Sequence, residues 1–182
     1  MRVLVACEFS GVVRDAFAAR GHDAWSCDIL PTERPGQHYQ CDVREVLGMG
    51  WDLMIAHPPC TYLSYAGARW FKVQPDRYDK AREAYKFVKM LADAEVPKIA
   101  IENPRGLLTK WHGKPSQVIQ PYQFGDAFTK YTCLWLTGLP PLLYTCIEVN
   151  RFVNWTELGP RSAKDRSRTF PGIAEAMAAQ WG

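Results

Sequence analysis

Two short stretches of the chain each combine an apolar run, a reactive side chain and a proline. The first, over residues 52–64, reads DLMIAHPPCTYLS and presents Cys60 directly after two prolines. The second, over residues 98–104, reads KIAIENP and presents Glu102 just before its proline. Such apolar runs predict buried strands, and proline ends a strand and stiffens the turn that follows. Both stretches therefore predict a rigid loop that displays one functional group.

Cys60 and Glu102 define the chemistry that these loops could perform. The carboxyl ends of parallel strands are the edge at which open α/β sheets bind ligands. A thiol at that edge is a candidate nucleophile, although most free cysteines are buried and inert. A glutamate that follows a buried strand costs free energy unless it is paired or protonated. Its position therefore indicates either a structural ion pair or a functional site.

The elements that must bring these loops together alternate along the chain. Apolar periodicity predicts strands over residues 2–8, 22–28, 52–57, 98–102 and 129–136, and helices over residues 12–20, 76–95 and 173–180. This alternation predicts an α/β fold built on a single doubly wound, mostly parallel sheet.

Composition narrows the class of protein. The chain has 182 residues, 47% hydrophobic and 23% charged, which is typical of one globular domain. No apolar run is long enough to span a bilayer, and residues 3–5 begin a strand rather than a signal sequence, so we expect a cytoplasmic protein with no membrane partner. A net charge of +3 does not by itself indicate nucleic acid. Basic clusters over residues 69–89 and 161–168 fit phosphate contacts as well as solvated helix faces.

The cysteines do not form a metal-binding or disulfide pattern. There are six, widely scattered and without a Cys-x-x-Cys pair: Cys7, Cys27, Cys41, Cys60, Cys133 and Cys146. With no histidine at ligand spacing, we expect no metal site and reduced thiols.

A nucleotide site is predicted where the first strands end. Gly11 follows the first strand, and a glycine at such a turn lets the amides of a helix N-terminus approach a ligand. Asp28, at the end of the second strand, could accept hydrogen bonds from both hydroxyls of a ribose. Asp42 precedes a short helical stretch and is predicted to cap it. The absence of a G-x-G-x-x-G motif argues against an ordinary nicotinamide dehydrogenase.

Together these motifs resemble those of the cytosine-5 DNA methyltransferases. Pro58–Cys60 is similar to the Pro-Cys nucleophile loop of that family, and Glu102–Asn103 to its Glu-Asn pair, whose glutamate contacts the cytosine ring. Glu8–Gly11 resembles the family's Phe-x-Gly cofactor loop. The resemblance implies a Rossmann-like methyltransferase fold with S-adenosylmethionine as cofactor. The cofactor-binding residues that it implies are Phe9, Ser10, Gly11, Asp28, Ile29, Asp42, Val43 and Pro58.

The resemblance also implies a covalent mechanism on DNA. Cys60 would add to carbon 6 of cytosine, and Glu102, protonated or sharing a proton with ring nitrogen 3, would neutralise the charge that develops on the ring. Larger members of the family carry an Arg-x-Arg strand where this chain has Lys130-x-Thr132. Lys130 could supply the same cation, without the planar geometry of arginine. The cytosine must be flipped out of a duplex or presented in a single strand.

The C-terminal part resembles small phage-encoded DNA methylases, which implies a bacterial host cell. We expect one catalytic domain over residues 1–182, with an irregular segment at about 142–165 and no separate target-recognition domain. Weak sequence preference, a specificity partner or a homodimer would follow from that. In the resembling family the stretch corresponding to residues 66–73 closes behind a flipped base, and the aromatic rings of this chain there could stack on bases.

Three alternatives remain open at this stage. One is methylation of an exocyclic amine, which uses an Asp-Pro-Pro-Tyr loop; here Cys60 follows the prolines and Tyr62 comes two places late. Another is a non-catalytic subunit that binds S-adenosylmethionine or nucleic acid and needs a partner. The third keeps the chemistry but changes the substrate to RNA or a free nucleotide.

Overall fold

A central β-sheet carries both predicted site loops in the computed structural model, which describes residues 1–146, 153–155 and 162–182. The strands are β1 (Arg2–Ala6), β2 (Asp23–Asp28), β3 (His38–Gln40), β4 (Leu53–Ala56), β5 (Lys98–Pro104), β6 (Gln117–Ile119), β7 (Phe128–Thr129), β8 (Thr132–Thr137) and β9 (Val153–Asn154). The α-helices are α1 (Val12–Ala18), α2 (Arg77–Ala92), α3 (Leu108–Trp111), α4 (Ala163–Ser167) and α5 (Pro171–Trp181). Short 3-10 helices cover Val43–Glu45, Tyr65–Lys72 and Pro121–Phe124.

Seven strands form the main sheet, in the order β3-β2-β1-β4-β5-β8-β6. The first five in that order run parallel, whereas β8 is antiparallel to both β5 and β6. The chain steps outward from β1 to β3 and then returns to β4 on the other side of β1. This reversal opens a crevice at the carboxyl ends of β1 and β4, where such sheets bind ligands. The predicted α/β fold with a doubly wound, mostly parallel sheet is confirmed.

Both faces of the sheet are covered, which explains why its central strands are apolar throughout. In β1, Val3 and Val5 pack towards α1 and α5, while Leu4 and Ala6 pack towards α2 and α3. A strand buried on both faces has no polar side, so it appears in the sequence as a continuous apolar run. None of the helices within the described ranges is both long and apolar enough to cross a bilayer.

One expectation about a helix face needs correction. The spacing on α2 predicts a core-facing set made of Tyr78, Ala81, Tyr85, Val88 and Ala92. Ala81 and Val88 are buried, whereas Tyr78 is 45% exposed.

The expectation of an irregular segment at about 142–165 stays a prediction. Within it β9 pairs with β7 and α4 begins at Ala163. Residues 147–152 and 156–161 of that segment lie outside the described residues.

Candidate functional site

The loop that carries Cys60 is tied by hydrogen bonds to β5, the strand that carries Glu102, and to the loop that follows β5. The side-chain amide of Asn103 donates to the Pro58 carbonyl at 2.8 Å, and the backbone N–H of Leu107 donates to the Leu63 carbonyl at 2.7 Å. Gly106 allows this approach, because a Cβ atom there would lie 2.0 Å from the Leu63 carbonyl oxygen. The two loops therefore form one rigid unit.

The three side chains that the sequence predicts for catalysis, Cys60, Glu102 and Lys130, interact through their charges. Burial raises the pKa of the Cys60 thiol, and the negative charge of Glu102 raises it further. The positive charges of Lys130 and Arg166 offset part of this rise. Cys60 is therefore a neutral thiol near pH 7, and it must lose its proton before its sulfur can act as a nucleophile.

His57 is the partner that fixes Glu102. The register between β4 and β5 pairs Ala56 with Ile101, so the next residues of the two strands are neighbours. The Nδ1 atom of His57 lies 3.3 Å from Oε2 of Glu102, and the two side chains are 7% and 19% exposed. Nδ1 donates in the tautomer that satisfies the carboxylate.

The His57 contact determines the charge of Glu102. Burial raises the pKa of this carboxyl, but the hydrogen bond from His57 and the positive charge of Lys130 outweigh burial, and the pKa lies below its ordinary value. Glu102 is therefore ionised at neutral pH. Of the two states expected from the sequence, a protonated Glu102 does not agree with this environment, while a proton shared with ring nitrogen 3 stays a prediction.

Sequence reasoning assigned no role to His57, although the residue stands at the end of a buried strand. Its Nε2 atom is buried and has no hydrogen-bond partner among the described residues. An unsatisfied buried polar group costs about 1–3 kcal/mol. The signal that could have revealed His57 is its place beside Glu102 in the register, which requires knowing that the two strands are adjacent.

Lys130 and Glu102 line a cavity of about 10 Å³ next to the start of α5. The ammonium of Lys130 donates to the Arg166 carbonyl at 3.0 Å and lies 5.7 Å from the centre of the Phe170 ring. The remaining lining residues are Thr132, Ser167, Thr169, Phe170, Ile173 and Met177. A cavity of this volume holds about one water molecule.

At the end of β1, the carboxylate of Glu8 occupies the N-terminus of α1. It accepts hydrogen bonds from the backbone N–H groups of Val13 at 2.8 Å and Arg14 at 3.2 Å, and from the Ser10 hydroxyl at 3.0 Å. The amides that we expected to approach a ligand are therefore already satisfied. A buried negative charge here repels phosphate, so the site does not suit a dinucleotide.

Asp28 and Asp42 converge on the end of β1. Burial raises the pKa of the Cys7 thiol, and the charges of both aspartates raise it further. Cys7 itself has a φ of 59°, a left-handed conformation that is uncommon for a residue other than glycine and is often found at functional sites. Asp42 also caps the following 3-10 helix, accepting from the Arg44 backbone N–H at 3.0 Å, which confirms its predicted capping role.

The other predicted cofactor residues differ in their exposure. Ser10, Gly11, Val43 and Pro58 are buried within the loops that they shape, whereas Ile29 is exposed after β2. Phe9 is buried, and the ammonium of Lys164 lies 5.1 Å from the centre of its ring.

A cluster of ion pairs attaches the C-terminal segment, through Lys164 and Arg168, to Glu33 in the loop after β2. The guanidinium of Arg168 donates to both carboxylate oxygens of Glu33 at 2.9 and 2.8 Å, and the Lys164 ammonium lies 3.0 Å from the same carboxylate. These hydrogen bonds, that of Arg168 first, lower the pKa of Glu33 to about 2. The backbone N–H of Glu33 donates to the Phe9 carbonyl at 2.9 Å, so the cluster connects α4 to the predicted cofactor loop.

Of the comparisons with known proteins, only the comparison of structures finds a similar protein. No protein-family model and no curated protein matches the chain. Among solved structures, the chain is similar to a proposed DNA modification methyltransferase encoded within a prophage of E. coli, with 13% sequence identity and a TM-score of 0.45. The match covers 74% of this chain and 45% of that protein, so the chain spans less than half of its length. Within the described residues, no group of three or more His, Cys, Asp or Glu side chains could hold a metal ion.

Proposed function

We propose that this protein is an S-adenosylmethionine-dependent methyltransferase that modifies carbon 5 of cytosine in DNA through a covalent adduct with Cys60. The observation that carries this proposal is the joining of the Cys60 loop to the Glu102 loop at the carboxyl edge of the sheet, next to Lys130. A thiol, a carboxylate and a cation on one rigid edge are the groups that a nucleophilic addition to a pyrimidine requires.

The end of β1 fits a cofactor that has a nucleoside and a positive charge but no phosphate. Glu8 neutralises the helix N-terminus that would otherwise attract phosphate, and Asp28 and Asp42 add negative charge around Cys7. An aspartate at the end of the second strand suits ribose hydroxyls. When bound, S-adenosylmethionine supplies an electrophilic methyl group on its sulfonium.

The residues of the chain would act in sequence on the base. Cys60 loses its proton and its sulfur adds to carbon 6, which breaks the 5–6 double bond and makes carbon 5 electron-rich. The Glu102 carboxylate, fixed by His57, accepts hydrogen bonds from the exocyclic amine and from nitrogen 3, which takes up, through water, the proton that Cys60 has lost. After carbon 5 has accepted the methyl group, whose former bonding electrons stay on the cofactor sulfur, water removes the carbon 5 proton. The electron pair of that C–H bond restores the 5–6 double bond and expels Cys60 as a thiolate, which regains its proton from nitrogen 3 through water.

The main alternative, methylation of an exocyclic amine, requires an aromatic ring that holds the base beside the proline loop. Tyr62 is the nearest ring in sequence, but it lines a cleft with Pro59 and the α2 residues Lys80 and Phe87. Arg77 lies over the Tyr62 ring at 5.1 Å. Because Tyr62 faces this cleft while Glu102 lines the cavity beside α5, the arrangement favours the covalent mechanism.

Nucleoside analysis tests the proposal. The full chain is incubated with S-adenosylmethionine and with single- or double-stranded DNA, and the digested nucleosides are identified by mass and retention. We expect 5-methylcytosine, none with Cys60→Ala, and an unchanged yield with Cys146→Ala, which removes another half-buried thiol. An amino-methylated base that persists in Cys60→Ala supports the alternative. Cofactor binding without any modified base supports a non-catalytic subunit.

A further inference from the structure

Three exposed aromatic side chains stand around the loop that begins at Cys60. Tyr65 and Trp70, on the 3-10 helix that follows this loop, are 48% and 41% exposed, and Tyr131, just before β8, is 46% exposed. Arg105 connects two of them, because its carbonyl accepts from the Tyr65 backbone N–H at 3.2 Å and its guanidinium lies 5.9 Å from the Tyr131 ring centre. Arg105 therefore connects the 3-10 helix that carries Tyr65 and Trp70 to Tyr131.

One side of the 3-10 helix packs against α2, and the rings on its other side are exposed to solvent. The buried guanidinium of Arg77 donates to the Thr61 carbonyl at 2.7 Å and lies 5.2 Å from the Phe71 ring centre. Phe71 in turn packs edge-on against Tyr78 at 5.8 Å. Phe71 therefore packs against the protein, whereas Trp70 is exposed. Packing in the core gives no reason for an exposed tryptophan at this position.

The three stretches 53–75, 103–125 and 127–146, which include the Cys60 loop, carry cations and no carboxylate. They contain the cations Arg69, Lys72, Arg105, Lys110, Lys114 and Lys130. In the part of the chain that the structure describes, Arg69, Lys72 and Arg105 take part in no ion pair. Glu102 is therefore the one carboxylate that these loops bring to the site.

We propose that this rim, formed by Tyr65, Arg69, Trp70, Arg105 and Tyr131, binds single-stranded DNA. Exposed rings stack on unpaired bases, and the neighbouring cations meet the phosphates. The Arg69 guanidinium lies 4.9 Å from the Trp70 ring centre and the Arg105 guanidinium 5.9 Å from the Tyr131 ring centre, so each of these two rings has a cation beside it. A duplex keeps its base faces stacked inside the helix, where these rings cannot reach them. The choice of DNA as the strand rests on the proposed function.

A binding titration without cofactor tests this inference. Fluorescence anisotropy follows a labelled 15-nucleotide oligo-dT strand and a hairpin duplex of equal charge, neither of which needs to contain cytosine. We expect the single strand to bind about tenfold or more tightly than the duplex, and Trp70→Ala or Tyr131→Ala to weaken it by about tenfold, as stacked rings usually do. Arg69→Ala should lower the slope of log affinity against log salt by about 0.7, the value for one lost phosphate contact with a single strand.

Tyr144 provides the matched control, because it is 52% exposed but lies in the segment after β8, against Phe124. Tyr144→Ala should bind the single strand like the wild type. Equal or tighter binding of the duplex, or an equal loss in Tyr144→Ala, overturns the inference. Because the probe contains no cytosine, strand binding by a chain that transfers no methyl group overturns the proposed function alone.

Discussion

The contact of 3.3 Å between Nδ1 of His57 and Oε2 of Glu102 joins the ends of two adjacent parallel strands. It holds a half-buried carboxylate in its ionised form and leaves its second oxygen available to a base. The adjacent Cys60 is affected in the opposite direction, because the Glu102 charge raises the pKa of its thiol. The same carboxylate can therefore accept a further hydrogen bond and raises the pKa of the neighbouring thiol.

Replacement of His57 should change how Glu102 titrates. Without the hydrogen bond, the pKa of Glu102 rises from below its ordinary value, so the acid limb of kcat/KM moves to higher pH in His57→Ala. We expect kcat to fall by about tenfold to a hundredfold, at or below the usual range for loss of a general acid or base. His57→Gln, which keeps a donor, should recover part of the loss. If the acid limb of kcat/KM does not move in His57→Ala, His57 does not have this role. His112→Gln serves as the control.

The raised pKa of Cys60 makes a prediction about its reactivity. Alkylation by iodoacetamide should increase with pH beyond the ordinary thiol range of about 8.5. Lys130→Met removes a charge that favours the thiolate, so alkylation at pH 8 should slow by about threefold or more, since a shift of half a unit in pKa changes the thiolate fraction by that factor. Mass spectrometry of the Cys60 peptide measures the rate. Lys110→Met should leave the rate unchanged; a similar loss there would point to a general charge effect.

Glu8 should contribute to stability through the amides that it caps. Glu8→Ala leaves two buried N–H groups at the start of α1 without an acceptor, which should lower the free energy of unfolding by about 2 kcal/mol. Urea denaturation measures this change. Glu45→Ala, at the exposed end of a short capping box, is the comparison and should cost less. Equal losses in the two variants would show that the buried position of Glu8 has no special effect.

The stability that the ion pairs of Glu33 contribute, above all with Arg168, should decrease at low pH. The pKa of Glu33 is lowered to about 2, so its ion pairs stabilise the fold fully above about pH 4.5 and lose that contribution as the pH falls towards 2. Because these groups are partly exposed, Arg168→Ala should lower global stability by less than about 1 kcal/mol. Hydrogen exchange should nevertheless increase over residues 29–37 and 162–168. Unchanged exchange there at pH 7 would show that the cluster does not hold α4.

Local sequence pattern was sufficient for the elements with long apolar runs. β5 has the start that the sequence predicts, and Cys60 lies just beyond β4, after its two prolines. The strand β5 continues past Glu102 to Pro104, because Asn103 and Pro104 pair with β8, so the proline there does not end the strand before the turn. The three-residue strands β3 and β6 are too short for periodicity to reveal. Tyr78 has helical core spacing yet is exposed, and its ring packs against Phe71 and Trp111.

The properties that depend on neighbouring strands could not be predicted. The ionised state of Glu102 depends on His57, which lies 45 positions away in the chain. The backbone N–H groups at the start of α1 cannot bind an anion, because the Glu8 carboxylate turns towards them and accepts their hydrogen bonds. Both require the fold, because a pKa and a hydrogen bond reflect distances that the sequence does not give.

A covalent trap tests the cysteine mechanism most directly. A single-stranded oligonucleotide with one 5-fluorocytosine is incubated with the protein and S-adenosylmethionine, then denatured and digested for mass spectrometry. Fluorine cannot leave carbon 5 as a proton does, so the adduct cannot eliminate the sulfur. We predict a peptide in which Cys60 carries the methylated fluorinated nucleotide, and no adduct with Cys60→Ala. Methylation of ordinary cytosine together with a complete absence of adduct would contradict the covalent mechanism.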